Sequence, residues 1–591
     1  MAPGSDVLDR AARAGALSRL RAATADNPLD ILIVGGGVVG CGSALDAAQR
    51  GLDVGLIERR DLAAGTSSRS SRLAHGGLRY LEQREFSLVH EALTERGLLL
   101  DRLAPHLVRP VPFLFPVTHR GWERPYVGFG IQMYDLLSRL GAYGGTMQRP
   151  RTLSAKAVRA IAPGINPDAM VGAVRFNDAQ IDDARHTLAV ARTAVAHGAS
   201  IATRAAAVDM IREDGRVVGV VVRDELTEET FEVRARSVLA AAGVWTDDLL
   251  KMADAGGDHA VRQSKGIHLV IPRTAFRSTS ALIARTPTSV LFLLPWGQHW
   301  LVGTTDTDYE GDRDEPRIDE ADVQYLLEEV NRWLAQPIGR DDVIGMYSGL
   351  RPLLSSGADK DGTAQMSREH AVLHPAPGLV MIAGGKYTTY RVMAADAVDA
   401  AVAARAELVH DIVAESRTDE LPLVGAAGFA AAWASRERTA KVAGLPVGTI
   451  EHLLRRHGDR VRDVLDLVAN DRSLAEPIHP EAPYLMAEAV VAVSREGALG
   501  LVDVLARRTR VALETRDGGA RVAQRVGEVL AGQLGWNDDR LAKEVEHVQR
   551  RSEALQPVPG GGQEQHLLDH DPLEPTEADL AGPLPLEPPA P

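Results

Sequence analysis

The sequence predicts an α/β fold in which a parallel-sheet domain is interleaved with an antiparallel-sheet domain and followed by a helical domain. Three observations carry this. Residues 30–58 run strand, glycine turn, helix, strand. Residues 261–344 hold short alternating strands and turns, the texture of an antiparallel sheet. Residues 421–555 repeat Ala, Leu, Val and Arg in helical patterns throughout.

Residues 31–34 are a short apolar run of buried-strand length. Gly35, Gly37 and Gly40 follow in GxGxxG spacing. Gly35 permits the tight turn, Gly37 lets backbone approach a pyrophosphate, and Gly40 lets the helix over 38–49 lie close to the strand. The helix start offers unpaired N–H groups and a positive dipole end. A second strand over 53–57 ends at Glu58, 18 residues after Gly40 and suited to accept a ribose hydroxyl. The unit therefore reads as Rossmann-type and dinucleotide-binding. Arg59 and Arg60 raise the alternative of a 2′-phosphate, which a glutamate at the strand end repels.

The chain of 591 residues is too long for one domain; length alone suggests about three or four, and interleaving lowers that. A net charge of −14 argues against nucleic-acid binding, which needs a concentrated basic face. The single cysteine, Cys41, excludes an intramolecular disulfide and suits a packing role on the first helix. No metal site is expected. The first residues lack a secretory apolar segment, and no apolar run reaches membrane-spanning length.

Residues 1–27 read as an extension with a loose amphipathic helix. Residues 61–80, rich in Ser, Thr and Gly, form a loop with many donors that can wrap the far end of an extended dinucleotide. Residues 85–103 have helical spacing, and Pro105, Pro110, Pro112 and Pro116 break it up. Residues 125–140 read as an apolar helix, buried in preference to surface-lying. A helix over 181–197, strands over 200–222 and a buried strand ending at Gly243 return the chain to the first unit. Residues 380–383 form a parallel-type strand that runs into Gly384, Gly385 and Lys386 and a long helix. This places a nucleotide-binding domain at 28–408, with substrate segments at about 105–175 and 261–375, a helical domain at 409–555, and an acidic, Pro-rich tail at 556–591 that is expected to be disordered.

GGGVVG, TSSRSSRLAHGGLRYLE, AAGVW, KGIHLVIP, GTTDTD, YSGLRPL and GGKYTTYR occur in that order. Together they resemble the FAD-dependent glycerol-3-phosphate dehydrogenases, over roughly residues 28–545. Ala241-Ala242-Gly243 stands where that family has Ala-Thr-Gly, which puts one hydroxyl contact to the flavin in doubt. The resemblance implies a D-amino-acid-oxidase-like fold and non-covalent FAD. It also implies oxidation of glycerol 3-phosphate and a quinone acceptor met as a peripheral protein at the inner face of the cell membrane. A homodimer is compatible with it. An oxidase of an amine, amino acid or glycerol phosphate using oxygen is the alternative.

In that context Arg351 and Arg368, expected on turns, suit phosphate, with Arg79 and Tyr80 as further candidates. His268 suits the base that takes the hydroxyl proton, and Thr304, Thr305 and Asp306 suit orienting substrate or base. Lys386 suits the charge that reduced flavin gains. Thr66, Ser67, Ser71, Gly76, Gly77, Gly243, Gly385 and Thr388 join Gly35, Gly37, Gly40 and Glu58 as expected cofactor contacts.

Overall fold

The computed structural model describes residues 4–119, 121–140, 147–254, 260–287, 290–355, 369–406 and 412–555. Arg368 and the tail lie outside them. Strand Leu29–Val34 pairs in parallel with Val54–Glu58 on one side and Thr230–Ala240 on the other. Ser200–Thr203 and Leu379–Gly384 extend this eight-stranded sheet in parallel, and His370–Ala376 edges it antiparallel. Alternate side chains of the first strand enter different cores, which is why it reads as a continuous apolar run. Ile31 and Ile33 pack with helices Val38–Gln49, Asp183–Ala196 and Tyr390–Ala406. Leu32 and Val34 pack with Leu17 and Leu20 of the N-terminal helix Arg10–Arg21. That helix is docked rather than loose: Arg13 donates to the Thr203 carbonyl at 2.8 Å and pairs with Asp224 at 2.6 Å.

Among the described residues the second sheet has ten strands. Ala260–Pro272 runs through it between Gly345–Ser355 and His299–Gly303. Its other half is Val108–Val117 against Gly172–Ile181. Proline content had argued for irregular chain here. The three strand prolines, Pro110, Pro112 and Pro116, share one parity, so their missing N–H groups fall on one side. On that edge the neighbour Ala281–Arg285 pairs only at Phe113 and Leu114. The helix Glu320–Asn331 also interrupts the strand-rich stretch and covers the sheet through Val323, Leu326 and Val330.

Helix Glu123–Leu140 corrects the expectation of a buried element. Val127, Ile131, Tyr134 and Ser138 face inward. Trp122, Tyr126, Phe129, Leu136 and Leu140 face outward, with Trp122 64% and Phe129 67% exposed. None of the described helices is long and apolar enough to cross a membrane.

The C-terminal helices attach through buried charge. Arg508 pairs with Asp61 at 2.7 Å, Arg510 with Asp182 at 2.6 Å and Asp183 at 2.7 Å, and Arg185 with Glu496 at 2.6 Å.

The first glycine turn sets the tolerance of the nucleotide domain. A Cβ on Gly40 would lie 1.9 Å from the Gly35 carbonyl oxygen. Gly40→Ala must therefore push helix from strand, and a loss of about 1–3 kcal/mol is expected, with lower cofactor occupancy. Denaturant unfolding with unchanged midpoint and full occupancy would contradict this.

Candidate active site

A cavity of about 770 Å³ runs from Glu58 and Trp245, past the glycine turn, to His268, Arg351 and Lys386. At its first end, Gly35 has φ +118°, and a Cβ there would meet the Ala241 carbonyl oxygen at 2.6 Å. A Cβ on Gly36 would press on Glu58 Cβ at 2.8 Å. The cradle is thus bare backbone. Glu58 accepts the Gly36 and Arg60 N–H groups, each at 2.7 Å, so it braces the turn while its remaining lone pairs suit a ribose hydroxyl. Ser67 Oγ accepts the Val38 N–H at 2.9 Å and caps the helix. Arg59 pairs with Asp314 at 2.6 Å, and both Arg59 and Arg60 lie over the Trp245 ring. This commits them away from a 2′-phosphate. Cys41 Sγ contacts the Gly36 carbonyl at 3.5 Å, and burial pushes its thiol pKa up, which makes it inert.

The donor-rich loop is pinned at several points. Thr66 Oγ1 donates to the Leu350 carbonyl at 2.7 Å. Thr388 Oγ1 accepts the His75 N–H at 3.1 Å, and Tyr134 Oη accepts the Gly76 N–H at 2.7 Å. Gly77 has φ +78°, and Arg79 and Tyr80 follow on helix Leu78–Glu82. Gly243 and Gly385 line the cavity with φ +57° and +84°. Lys386 Nζ lies 3.6 Å from the centroid of the Tyr80 ring. These groups fit an extended dinucleotide: a backbone cradle, a capped helix start, an acid at one end and a cation at the other.

Arg351 lies on strand Gly345–Ser355, not on a turn, and reaches across to the neighbouring strands. It donates to Thr304 Oγ1 at 3.0 Å, the Thr305 carbonyl at 3.2 Å and Ser264 Oγ at 3.3 Å, with Asp306 3.6 Å away. Ser264 also bonds Asp306. His268 pairs in register with Tyr347, and their rings stack at 4.7 Å and 6°. Its Nε2 bonds Ser71 Oγ at 2.9 Å, so Ser71 stands at the histidine as well as at the cavity wall. The His268 Nδ1 has no hydrogen-bond partner among the described residues. Burial, then the charges of Arg351 and Arg72, hold its pKa down at about 3, so the ring is neutral. Tyr347 and Asp183 did not emerge from the sequence as site residues. Tyr347 lies four residues before Arg351 on one strand, a period-two signal that puts both on one face. Among the described residues no cluster suits a metal ion.

Residues 30–391 match the model of the FAD dependent oxidoreductase family, and residues 416–541 match that of the C-terminal domain of alpha-glycerophosphate oxidase. Glycerol-3-phosphate dehydrogenase 2 of Mycobacterium tuberculosis is 49% identical over 525 residues, 89% of this chain and 88% of that protein. The human mitochondrial glycerol-3-phosphate dehydrogenase is 34% identical over 543 residues, 88% of this chain and 72% of that one. The crystal structure of the glycerol-3-phosphate dehydrogenase from Bacillus halodurans, complexed with FAD, superposes with a TM-score of 0.76 at 26% identity, covering 94% of this chain and all of that one.

The buried histidines give the fold a defined acid limit. Burial lowers His106, His186 and His268 to about 3 and His457 to about 4. The unfolded chain, with histidine pKa about 6.5, then binds more protons between those values, so stability is full above about pH 6.5 and falls as pH drops. Glu496, which burial would raise but Arg185 and His457 hold at about 2, adds to the loss only below the carboxylate range of about 4. Buried Glu95 and Glu544, raised by burial, oppose the trend where they titrate themselves. Thermal unfolding is expected at lower temperature at pH 5 than at pH 7; an unchanged midpoint over that range would refute it.

Proposed function

The chain belongs to the FAD-dependent glycerol-3-phosphate dehydrogenase family, and from that premise we propose that it oxidises glycerol 3-phosphate to dihydroxyacetone phosphate and passes the electrons to a membrane quinone. The observation that carries the reading is one wall of the cavity, where a neutral histidine, a guanidinium and a threonine–aspartate turn converge at the end away from the glycine cradle. When bound, FAD supplies the ring that accepts hydride from the secondary carbon.

Arg351 holds the substrate phosphate, with Arg79 and Arg368 as further cations for it. Its fork is oriented by Thr304 and Ser264, which limits what binding must order. His268 takes the hydroxyl proton. The same Arg351 charge that disfavours protonated His268 is offset once a phosphate dianion pairs with it. A phosphorylated alcohol therefore strengthens its own base, and glycerol does not. Lys386 sets a cation where the reduced ring gains negative charge, with Tyr80 packed on it.

The quinone reading needs contact with a bilayer. The outward face of Glu123–Leu140 supports it: Trp122, Tyr126 and Phe129 repeat at helical spacing, and Phe86 of the adjoining helix is also exposed. Aromatic and aliphatic side chains in such a row suit the interface of the cytoplasmic leaflet, with the helix lying in its plane.

Anaerobic mixing with glycerol 3-phosphate is expected to bleach the flavin. Arg351→Lys keeps the charge and loses the fork, so kcat/KM on glycerol 3-phosphate should fall about 10- to 100-fold, with little change on glycerol. Near-normal kcat/KM would move the phosphate site elsewhere.

The W122E/F129E variant should shift the protein from the membrane fraction to the soluble one while dye-linked activity stays within about twofold, because only the apolar face is altered. Unchanged partitioning would discard this face as the contact, and stoichiometric peroxide from soluble wild-type protein would discard the quinone.

A further inference from the structure

Among the described residues the cavity lining ends at Met393, and those of the helical domain contribute no wall to it. Two residues of one short segment of that domain, Arg510 and Glu514, are nevertheless linked to the catalytic loop. Arg510, fully buried, donates to Asp183 Oδ1 at 2.7 Å. The other oxygen of Asp183, also fully buried, accepts both the Ser70 N–H at 3.0 Å and the Ser70 hydroxyl at 2.8 Å. A second arm begins at Glu514, which accepts the Trp296 indole N–H at 2.7 Å. The Arg72 guanidinium, fully buried, lies 4.0 Å from the Trp296 ring centroid, and the Arg72 carbonyl accepts the Ile181 N–H at 3.0 Å. Residues 70 and 72 are thus tie points, and Ser71 hangs between them with its hydroxyl on His268 Nε2. Tyr347 closes the figure: its hydroxyl donates to the Ser70 carbonyl at 3.0 Å while its ring stacks on His268.

We propose that the helical domain positions the proton acceptor, with Arg510 and Glu514 fixing residues 70 and 72 so that Ser71 orients the His268 ring. The proposal rests on His268 being the base. Stacking on Tyr347 fixes the plane of the imidazole but leaves the 180° flip about Cβ–Cγ, and a bond to Nε2 selects one of the two orientations. A serine on an untethered loop cannot do this, because its own position must be held to a fraction of an ångström for proton transfer. The ties to Asp183 and Trp296 supply that rigidity from outside the cavity, where neither flavin nor substrate competes for the same groups. Ser71, Ser70 and Arg510 are positioning residues in this scheme.

The test uses full-length holoenzyme and rapid anaerobic mixing, which separates substrate Kd from the limiting rate of flavin reduction. Ser71→Ala should lower the limiting rate about 10- to 100-fold with Kd and FAD content nearly unchanged, and Ser71→Thr should recover most of it. Arg510 meets both aspartates through its Nη2, and Arg510→Lys, whose shorter side chain falls short of that position, should lower the same rate. The double variant R510K/S71A should be no slower than S71A, since both break one chain of contacts. In Arg510→Lys the Ser70 amide should also exchange with deuterium faster. Should Arg510→Lys fail to fold, Ser70→Ala removes one of the two bonds to Asp183 and should lower the limiting rate in the same way. A wild-type limiting rate in S71A, additive losses in the double variant, or loss of FAD from S71A would overturn the proposal. A wild-type rate in His268→Ala would instead overturn the base itself.

Discussion

Two adjacent carboxylates, the largely buried Asp182 and the fully buried Asp183, stand at the start of helix Asp183–Ala196, and much of the rest of the molecule is arranged to answer them. Burying an ion without a partner costs several kcal/mol, and removing one member of a buried pair about 3–5 kcal/mol. Asp182 is met by Arg510 and by Arg456 at 3.7 Å, Asp183 by Arg510, and nearby Asp61 by Arg508. All three cations come from the helical domain, while the acids belong to the nucleotide domain. Neither side can bury its charges alone, so the two domains are bound to fold as one structure. The N-terminal segment follows the same logic, setting Arg13 on Asp224 and Asp6 on Arg192.

Around the cavity the charges are graded. The adenosine end carries Glu58 and guanidiniums already neutralised by Asp314. The opposite end holds Arg351 and Lys386, with the carboxylate Asp306 beside the former. An anionic substrate therefore finds its favourable field where the neutral His268 stands. The stacked Tyr347 excludes water from one face of that ring, and burial pushes the tyrosine's own pKa up to about 12, so it stays a hydroxyl donor to the Ser70 carbonyl.

What was legible in the sequence was what is local. The glycine turn, Glu58, the strand returning at Gly243 and the Gly384–Gly385–Lys386 turn are each set by residues within one short segment, and the family's motif order extended this to His268 and Arg351. The strand Val108–Val117 was hidden because prolines signal breaks until one sees that all three share one edge. Arg351 was expected on a turn because Gly349 and Pro352 flank it. The strand tolerates both: a Cβ at Gly349 would meet the Arg69 carbonyl at 2.5 Å, so glycine there serves close packing of the loop. Ser71 was read as a cofactor contact from its neighbours, and its bond to His268 spans 197 residues that no periodicity connects. The burial of residues 125–140 failed for a related reason, since an apolar face looks the same in sequence whether a core or another medium covers it.

That helix shows how one element can serve two environments. Its inner face is not a generic apolar stripe, because Tyr134 donates to Asp178 at 2.8 Å while accepting the Gly76 N–H. Asp178 in turn pairs with Arg96 at 2.8 Å, and Arg96 donates to Ser138 one turn further along the same helix. The inward polar groups are therefore satisfied without solvent, which leaves the outward side chains no structural task in the monomer. Keeping Trp122 and Phe129 in water gains nothing for stability, and an exposed apolar row of this kind marks a surface that meets another phase or molecule. The polar, cation-lined end of the cavity serves a phosphorylated substrate arriving from water. The proposed quinone requires the opposite, an apolar approach, and the described residues place such a face on the helix whose Tyr134 holds the Gly76 turn. On the proposed reading, substrate and acceptor have separate surfaces, and the Gly76 turn is held by the helix that carries the second.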